Sequence, residues 1–210
     1  MIKLAYCNVD DLDLKKTYSL TSKERQEKID YYRFKKDKKL SAGAYLLLKK
    51  LLYEEGITDF QLKIGKYDKP YICNYENIFF NLSHSKEMVL CGISDMKIGA
   101  DIEYNDPTID LDIAKHYFYN SEYKSIINSA NPSDEFFKYW VLKESYMKYT
   151  GLGMNLKLDS FEILIEDNIK LKNDSKNLKF NLFNLENYKV GIASHYNVSK
   201  LIKINVDDLY

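Results

Sequence analysis

A chain of 210 residues with 31 Lys+Arg against 31 Asp+Glu carries no net charge at pH 7, and 45% of it is hydrophobic. The length allows one substantial core or two small fused ones, and the charge balance excludes nucleic-acid binding through whole-chain basicity. No run of about 18 apolar residues occurs, so no membrane span is expected, and Met1-Ile2-Lys3-Leu4-Ala5-Tyr6 lacks a basic leader followed by a long apolar stretch, so no signal peptide is expected.

In chain order, an opening strand over 2–8 leads to a helix that starts near Thr21-Ser22, where hydroxyl caps precede Glu24 as in a capping box. This helix runs towards Phe34, and a second spans about 37–55 and stops at Gly56. After a turn at Lys69-Pro70, strands are predicted at 77–82, 88–94 and 97–103, the last two joined at Asp95-Met96. Helices follow near 110–117, 120–129 and 134–149, then strands near 160–166, 169–173, 178–183, 187–194 and 200–206. The sum is an α+β pattern. Leu90-Cys91-Gly92-Ile93-Ser94 is faintly echoed by Lys189-Val190-Gly191-Ile192-Ala193. Cys7, Cys73 and Cys91 show no CxxC or mixed Cys/His spacing, so reduced thiols and a cytoplasmic location are expected.

Charge is unevenly placed. Lys23–Lys50 holds ten basic and four acidic residues, a balance of +6, and Asp101–Glu135 holds two basic and eight acidic, a balance of −6. A polyanionic ligand on one side and a metal on the other would need that polarity. In Ile98-Gly99-Ala100-Asp101-Ile102-Glu103 the apolar residues alternate with Gly99, Asp101 and Glu103, so both carboxylates project from one side of a strand, and Gly99 leaves room for a ligand. In Trp140-Val141-Leu142-Lys143-Glu144-Ser145-Tyr146-Met147-Lys148, Glu144 and Lys148 sit one helical turn apart, a spacing that also suits a plain surface salt bridge. Upstream, Asn81-Leu82-Ser83-His84-Ser85 ends a buried strand in a polar turn with donors for phosphate oxygens. Three carboxylates with a lysine suit Mg²⁺, which takes a few carboxylate oxygens and leaves its other positions to water and substrate phosphate.

Together these segments resemble the signature of the 4′-phosphopantetheinyl transferases, the long surfactin-type branch: Ser-His-Ser, then Ile-Gly-x-Asp-Ile-Glu, then Trp-x-x-Lys-Glu-[Ala/Ser]-x-x-Lys. Asp68-Lys69-Pro70-Tyr71, Phe118-Tyr119-Asn120-Ser121-Glu122 and Gly151-Leu152-Gly153 extend the likeness over roughly residues 20–160. Asp68 and Lys86 depart from it, each standing where the family has Gly. The resemblance implies two similar α+β halves about a pseudo-twofold axis, residues 1–104 and 105–210, with the active site between them. It implies transfer of the phosphopantetheine arm of coenzyme A to a serine of an acyl- or peptidyl-carrier protein of fatty-acid, polyketide or peptide synthesis, releasing adenosine 3′,5′-bisphosphate. Asp101, Glu103 and Glu144 would hold Mg²⁺ (or Mn²⁺), Lys148 would contact phosphate, and Glu144 or a water beside it would take the serine proton. Ser83 and His84 would hold a coenzyme A phosphate, Lys69 and Pro70 would line the adenine side, and Arg25, Lys28 and Lys39 would read the 3′-phosphate. The expected enzyme is a monomer without nucleic-acid or membrane partners. Its rivals are a non-catalytic coenzyme A or carrier-binding module, and a metal-dependent phosphodiesterase.

Overall fold

Two larger sheets with helices on the outer face of each, and two small hairpins, make up the computed structural model, which describes residues 1–175 and 177–210. The first sheet has the order β11-β1-β5-β4, from β1 (Ile2–Asn8), β4 (Phe79–Ser85), β5 (Met88–Ser94) and β11 (Ile202–Lys203). The second is β6-β10-β9, from β6 (Gly99–Tyr104), β9 (Lys179–Leu185) and β10 (Tyr188–Ser194). All pairs in them are antiparallel except β1 with β11. Two small hairpins complete the strands, β2 (Leu62–Ile64) with β3 (Pro70–Ile72) and β7 (Ile163–Ile165) with β8 (Ile169–Leu171).

Among the described residues six α-helices occur, α1 (Leu14–Ser19), α2 (Lys23–Asp30), α3 (Lys35–Glu54), α4 (Asp112–Tyr117), α5 (Asn120–Ile127) and α6 (Pro132–Thr150), of which α3 lies on the first sheet and α6 on the second. Leu40, Ala44, Leu47, Leu48 and Leu51 recur at helical spacing and bury one stripe of α3 in the first core. Asn131 caps α6, Pro132 occupies its first turn, and Gly151 ends it at φ 75°, a left-handed position that favours glycine. The helix-free faces of both sheets pack together through Leu4, Leu90, Ile102, Val190 and Ile192. The expected α+β class holds.

The order of elements recurs. β1, three helices, the hairpin β2–β3 and the hairpin β4–β5 are followed by β6, three helices, the hairpin β7–β8 and the hairpin β9–β10. In each series the leading strand pairs with the last, β1 with β5 and β6 with β10. The predicted helix towards Phe34 ends early, at Asp30, because α2 buries only Ile29 and has no apolar stripe to carry it further. Unforeseen were α1, which starts on the Asp13 cap, and the three-residue strands β2 and β3, too short to show a period.

Candidate active site

Helix α6 lies unusually close to the second sheet because two glycines give it room. A Cβ on Gly99 would stand 1.8 Å from the Ser145 carbonyl oxygen, and one on Gly191 would stand 2.3 Å from that of Val141. Gly99 therefore admits a helix rather than the ligand its sequence context suggests. The close approach carries Glu144 and Lys148 over β6. Lys148 Nζ donates to Asp101 Oδ1 at 2.6 Å and to Ser83 Oγ at 2.8 Å, and Ser83 Oγ donates to the same carboxylate oxygen at 2.8 Å. The lysine pairs across elements with Asp101, and no ion pair joins it to Glu144 among the described residues. Asp101 is buried, and its Oδ2 has no partner.

The seam between the sheets is stitched by alternate residues of β4. Asn81 Oδ1 accepts the Ala100 N–H at 2.8 Å, Ser83 reaches Asp101, and Ser85 donates to Glu103 Oε2 at 2.7 Å while accepting the Tyr104 N–H at 3.0 Å. Both serine hydroxyls read from sequence as phosphate donors are thus committed to carboxylates of β6. Asn81 is the seam residue to which the sequence reading gives no role, and its signal is the polar alternation Asn81, Ser83, Ser85 in an otherwise apolar strand.

Mutual repulsion marks the carboxylates. Burial first, and Asp101 second, push Glu103 up to about 7, with Glu144 adding and Ser85 and Lys148 opposing. Glu144 is raised by burial and by Asp101, against Lys148. Among the described residues, no three His, Cys, Asp or Glu side chains are gathered closely enough to hold a metal as they stand. The chemistry still fits a hard cation: the orphaned Asp101 oxygen, Glu103 and Glu144 are oxygen donors whose charges disfavour one another without one. On the other face of β4, His84 opens to solvent at its rim. Partial dehydration, then Lys148, hold its imidazole below its ordinary value, against Asp37 and Asp101.

Lys69 is half-buried, donates to the Lys148 carbonyl, and is lowered to about 8 by burial, then by Lys97 and Lys148. A cavity of about 720 Å³ lies between α2, α3 and the β2–β3 hairpin, and Arg25, Lys28, Tyr45, Lys63 and Pro70 are among its lining residues. There the Arg25 guanidinium stacks 4.8 Å above Tyr45 and holds the Ser41 carbonyl and hydroxyl, while its Nε is buried without a partner. Burial, then Arg25, lower Lys28. Lys39 does not join this group. Its ammonium donates to the Asp10 carbonyl and lines a different depression. Asp68 and Lys86 have φ of 59° and 53°, so both hold the left-handed backbone that favours glycine.

Behind Glu144, a buried ion pair fixes the helix. Lys143 Nζ donates to Glu122 Oε1 and Oε2 at 2.8 and 2.7 Å and to the Phe161 carbonyl at 2.9 Å, and Glu122 also accepts the Ile163 and Tyr119 N–H groups. Burial raises Glu122 and lowers Lys143, each opposed by its partner.

A family model described as the 4'-phosphopantetheinyl transferase superfamily matches residues 97–193, the stretch holding Asp101, Glu103, Glu144 and Lys148. The 4'-phosphopantetheinyl transferase ffp of Bacillus subtilis is 31% identical over 154 residues, covering 71% of this chain and 68% of that protein. The chain belongs to the 4′-phosphopantetheinyl transferase superfamily. Within that superfamily it is also similar to 4'-phosphopantetheinyl transferase Sfp of Bacillus subtilis strain 168, at 33% identity over 69% of this chain and 66% of that protein. The 4'-phosphopantetheinyl transferase gsp of Aneurinibacillus migulanus is 37% identical over 69% of this chain and 62% of its own length. The match thus spans about two thirds of these superfamily members.

Proposed function

We propose that this chain is a 4′-phosphopantetheinyl transferase that moves the phosphopantetheine arm of coenzyme A to a serine hydroxyl of an acyl- or peptidyl-carrier protein. The serine oxygen forms a bond to the β-phosphorus, the bond from that phosphorus to the bridging oxygen breaks, and adenosine 3′,5′-bisphosphate leaves. The observation that carries this reading is the Asp101–Ser83–Lys148 cluster, a buried carboxylate with one free oxygen held beside an ammonium, with Glu103 and Glu144 next to it. Asp101, Glu103 and Glu144 would hold Mg²⁺ or Mn²⁺, which supplies charge neutralisation at the pyrophosphate. Lys148 is placed to turn from Asp101 to a phosphate oxygen. Glu144, or a water beside it, takes the serine proton. His84, on the other face of β4, would hold a phosphate of coenzyme A.

Arg25 and Lys28 suit the 3′-phosphate, with Pro70 in the same cavity, while Lys69 lines a second cavity and reaches the Lys148 carbonyl. Lys39 is left out of that group by its position. The recurring element order supports two similar halves. That order supports a boundary at the turn before Gly99, since β6 leads the second series as β1 leads the first, in place of the one expected after residue 104. The site then draws Ser83 and His84 from one half and Asp101, Glu103, Glu144 and Lys148 from the other, which supports an enzyme active as a monomer, and the free thiols of Cys7, Cys73 and Cys91 support a cytoplasmic location. Among the described residues no helix is long and apolar enough to cross a membrane.

Incubation with coenzyme A, Mg²⁺ and an apo-carrier, followed by intact mass measurement of the carrier, tests the proposal. The carrier should gain one phosphopantetheine, and adenosine 3′,5′-bisphosphate should appear. Hydrolysed coenzyme A beside an unchanged carrier would mean a phosphodiesterase, and bound but intact coenzyme A a non-catalytic module.

A further inference from the structure

The edge of β6 that turns away from β10 meets β4, and the two strands are joined there by side chains rather than by main-chain pairing. Asn81 accepts the Ala100 N–H and Ser85 accepts the Tyr104 N–H, each across nineteen residues, so β4 and β6 run in the same direction in matched steps. Ser85 makes a second bond that Asn81 does not. A serine hydroxyl hydrogen ordinarily rotates to suit its surroundings. Here the oxygen is fixed by the Tyr104 N–H at 3.0 Å and the hydroxyl is donated to Glu103 Oε2 at 2.7 Å. The backbone under it is fixed as well, because Ser85 opposes Met88 in the last pair of the β4–β5 hairpin.

Among the described residues Ser85 is the one tether on the Glu103 carboxylate, which receives no other hydrogen bond and joins no ion pair. Lys189, opposite it on β10, turns its ammonium to Asp134 and Asn184 instead. The neighbouring carboxylate is held in the same manner. Asp101 Oδ1 accepts from Ser83 and Lys148, which occupies both of its lone pairs, and Oδ2 is left open. Each carboxylate of β6 thus has one oxygen engaged by a serine of β4 and one oxygen to offer.

That arrangement separates divalent cations by size. Mg²⁺ takes single oxygens in a near-octahedral shell at about 2.0–2.1 Å, whereas Ca²⁺ takes roughly six to eight oxygens at about 2.3–2.6 Å and gains from a carboxylate that supplies both of its own. Asp101 is confined by two donors. Glu103 has the longer side chain and a single donor, so the hydroxyl of Ser85 decides whether both of its oxygens can turn to an ion.

We propose that Ser85 is a positioning residue that confines Glu103 to one oxygen for the cation, and so gives the site its preference for Mg²⁺ over Ca²⁺. The inference rests on the reading of Asp101, Glu103 and Glu144 as metal ligands and adds the residue that sets which ion they admit.

Displacement of Mn²⁺ tests it without turnover. With coenzyme A present and carrier absent, Mn²⁺ that binds the protein loses its free-ion paramagnetic resonance signal, and added Mg²⁺ or Ca²⁺ restores it. The ratio of half-restoring concentrations, Ca²⁺ over Mg²⁺, should exceed one in the parent. In Ser85→Ala it should fall on the order of tenfold, the scale of losing an outer partner of a metal ligand. Ser85→Thr keeps the hydroxyl and should keep the parent ratio. Ser85→Cys, with a weak donor in the same place, should fall between them and replaces Ser85→Ala if that variant does not fold. A purely structural role, felt through the unpaired Tyr104 N–H, would lower the melting temperature and weaken both ions alike, leaving the ratio unmoved. An unmoved ratio overturns the inference, as does a parent ratio at or below one, or a fall in Ser85→Thr as large as in Ser85→Ala. A parent that binds no Mn²⁺ overturns it together with the metal assignment, while the mass of the carrier judges transfer separately.

Discussion

Replacing Gly99 by alanine should disable the site without touching any of its polar groups. The new Cβ would stand 1.8 Å from the Ser145 carbonyl oxygen and 2.4 Å from the Tyr149 nitrogen, both backbone atoms of α6 that no side-chain rotation can move aside. Real Cβ contacts essentially never fall below 3.0 Å, so raising 1.8 Å to that floor requires about 1.2 Å of separation between helix and strand. Overpacking of this kind costs about 3 kcal/mol in a close-packed interior, which for a chain of this length lowers Tm by roughly 6–12 °C. The same shift opens the 2.6 Å contact of Lys148 with Asp101 and carries Glu144 with it. A misplacement of about 1 Å costs on the order of a hundredfold in rate. Thermal melts and carrier-mass kinetics on Gly99→Ala read the two effects separately. A variant that melts within 2 °C of the parent (about a third of the smallest shift expected here) and keeps its kcat/KM would refute the claim that this glycine sets the height of α6 above β6.

Lys143→Met should destabilise the chain by about 3–5 kcal/mol in denaturant unfolding, because it leaves Glu122 charged and buried, whereas Glu122→Gln with Lys143→Met together should recover most of the loss. If the double variant is no more stable than the single, the pair is not a coupled unit. Glu103 should make stability fall as pH rises. Its folded value of about 7 exceeds its ordinary 4.5, so the folded state holds a proton that the unfolded state has released across that window, and the decline should level off above it. Melts in chelator from pH 4 to 8 on the parent and on Glu103→Gln check this, and an unaltered slope in the variant would count against it. His84→Ala should raise the coenzyme A KM more than it lowers kcat, and Lys148→Ala should lower kcat itself; the reverse pattern would exchange their roles. With 3′-dephospho-coenzyme A as donor, kcat/KM should drop about tenfold to a hundredfold in the parent and not at all in an Arg25→Ala, Lys28→Ala double variant. Equal use of both donors by the parent would free those cations for another task.

What sequence revealed and what it hid divide along one physical line. Asp101 and Glu103 share a strand face, and Glu144 and Lys148 share a helix turn, because those relations are local and periodic. The same periodicity suggested that Lys148 answers Glu144, its neighbour by one turn, when its partner is Asp101, forty-seven residues away. Gly99 read as space for a ligand because the space on offer is the same, and only packing shows that α6 takes it. Ser83 and Ser85 read as phosphate donors because nothing local says that the strand facing them will be β6. The family resemblance groups Lys39 with Arg25 and Lys28, while the turn between α2 and α3 sends them to different cavities. Local chemistry was legible, and its long-range partners were not.

The first core is closed from the far end of the chain. β11 adds its strand to β1, Leu209 is buried among the residues of α3 and the first sheet, and the Tyr210 hydroxyl accepts the Asp13 N–H at 2.7 Å. A ribosome releases the amino end first, at about 5–20 residues per second. For on the order of ten seconds after β5 emerges, β1 therefore presents an unpaired edge of the kind that recruits other strands. The second sheet needs only residues 99–194 and can close earlier. Of the two sheets, the one begun earlier is the one finished later.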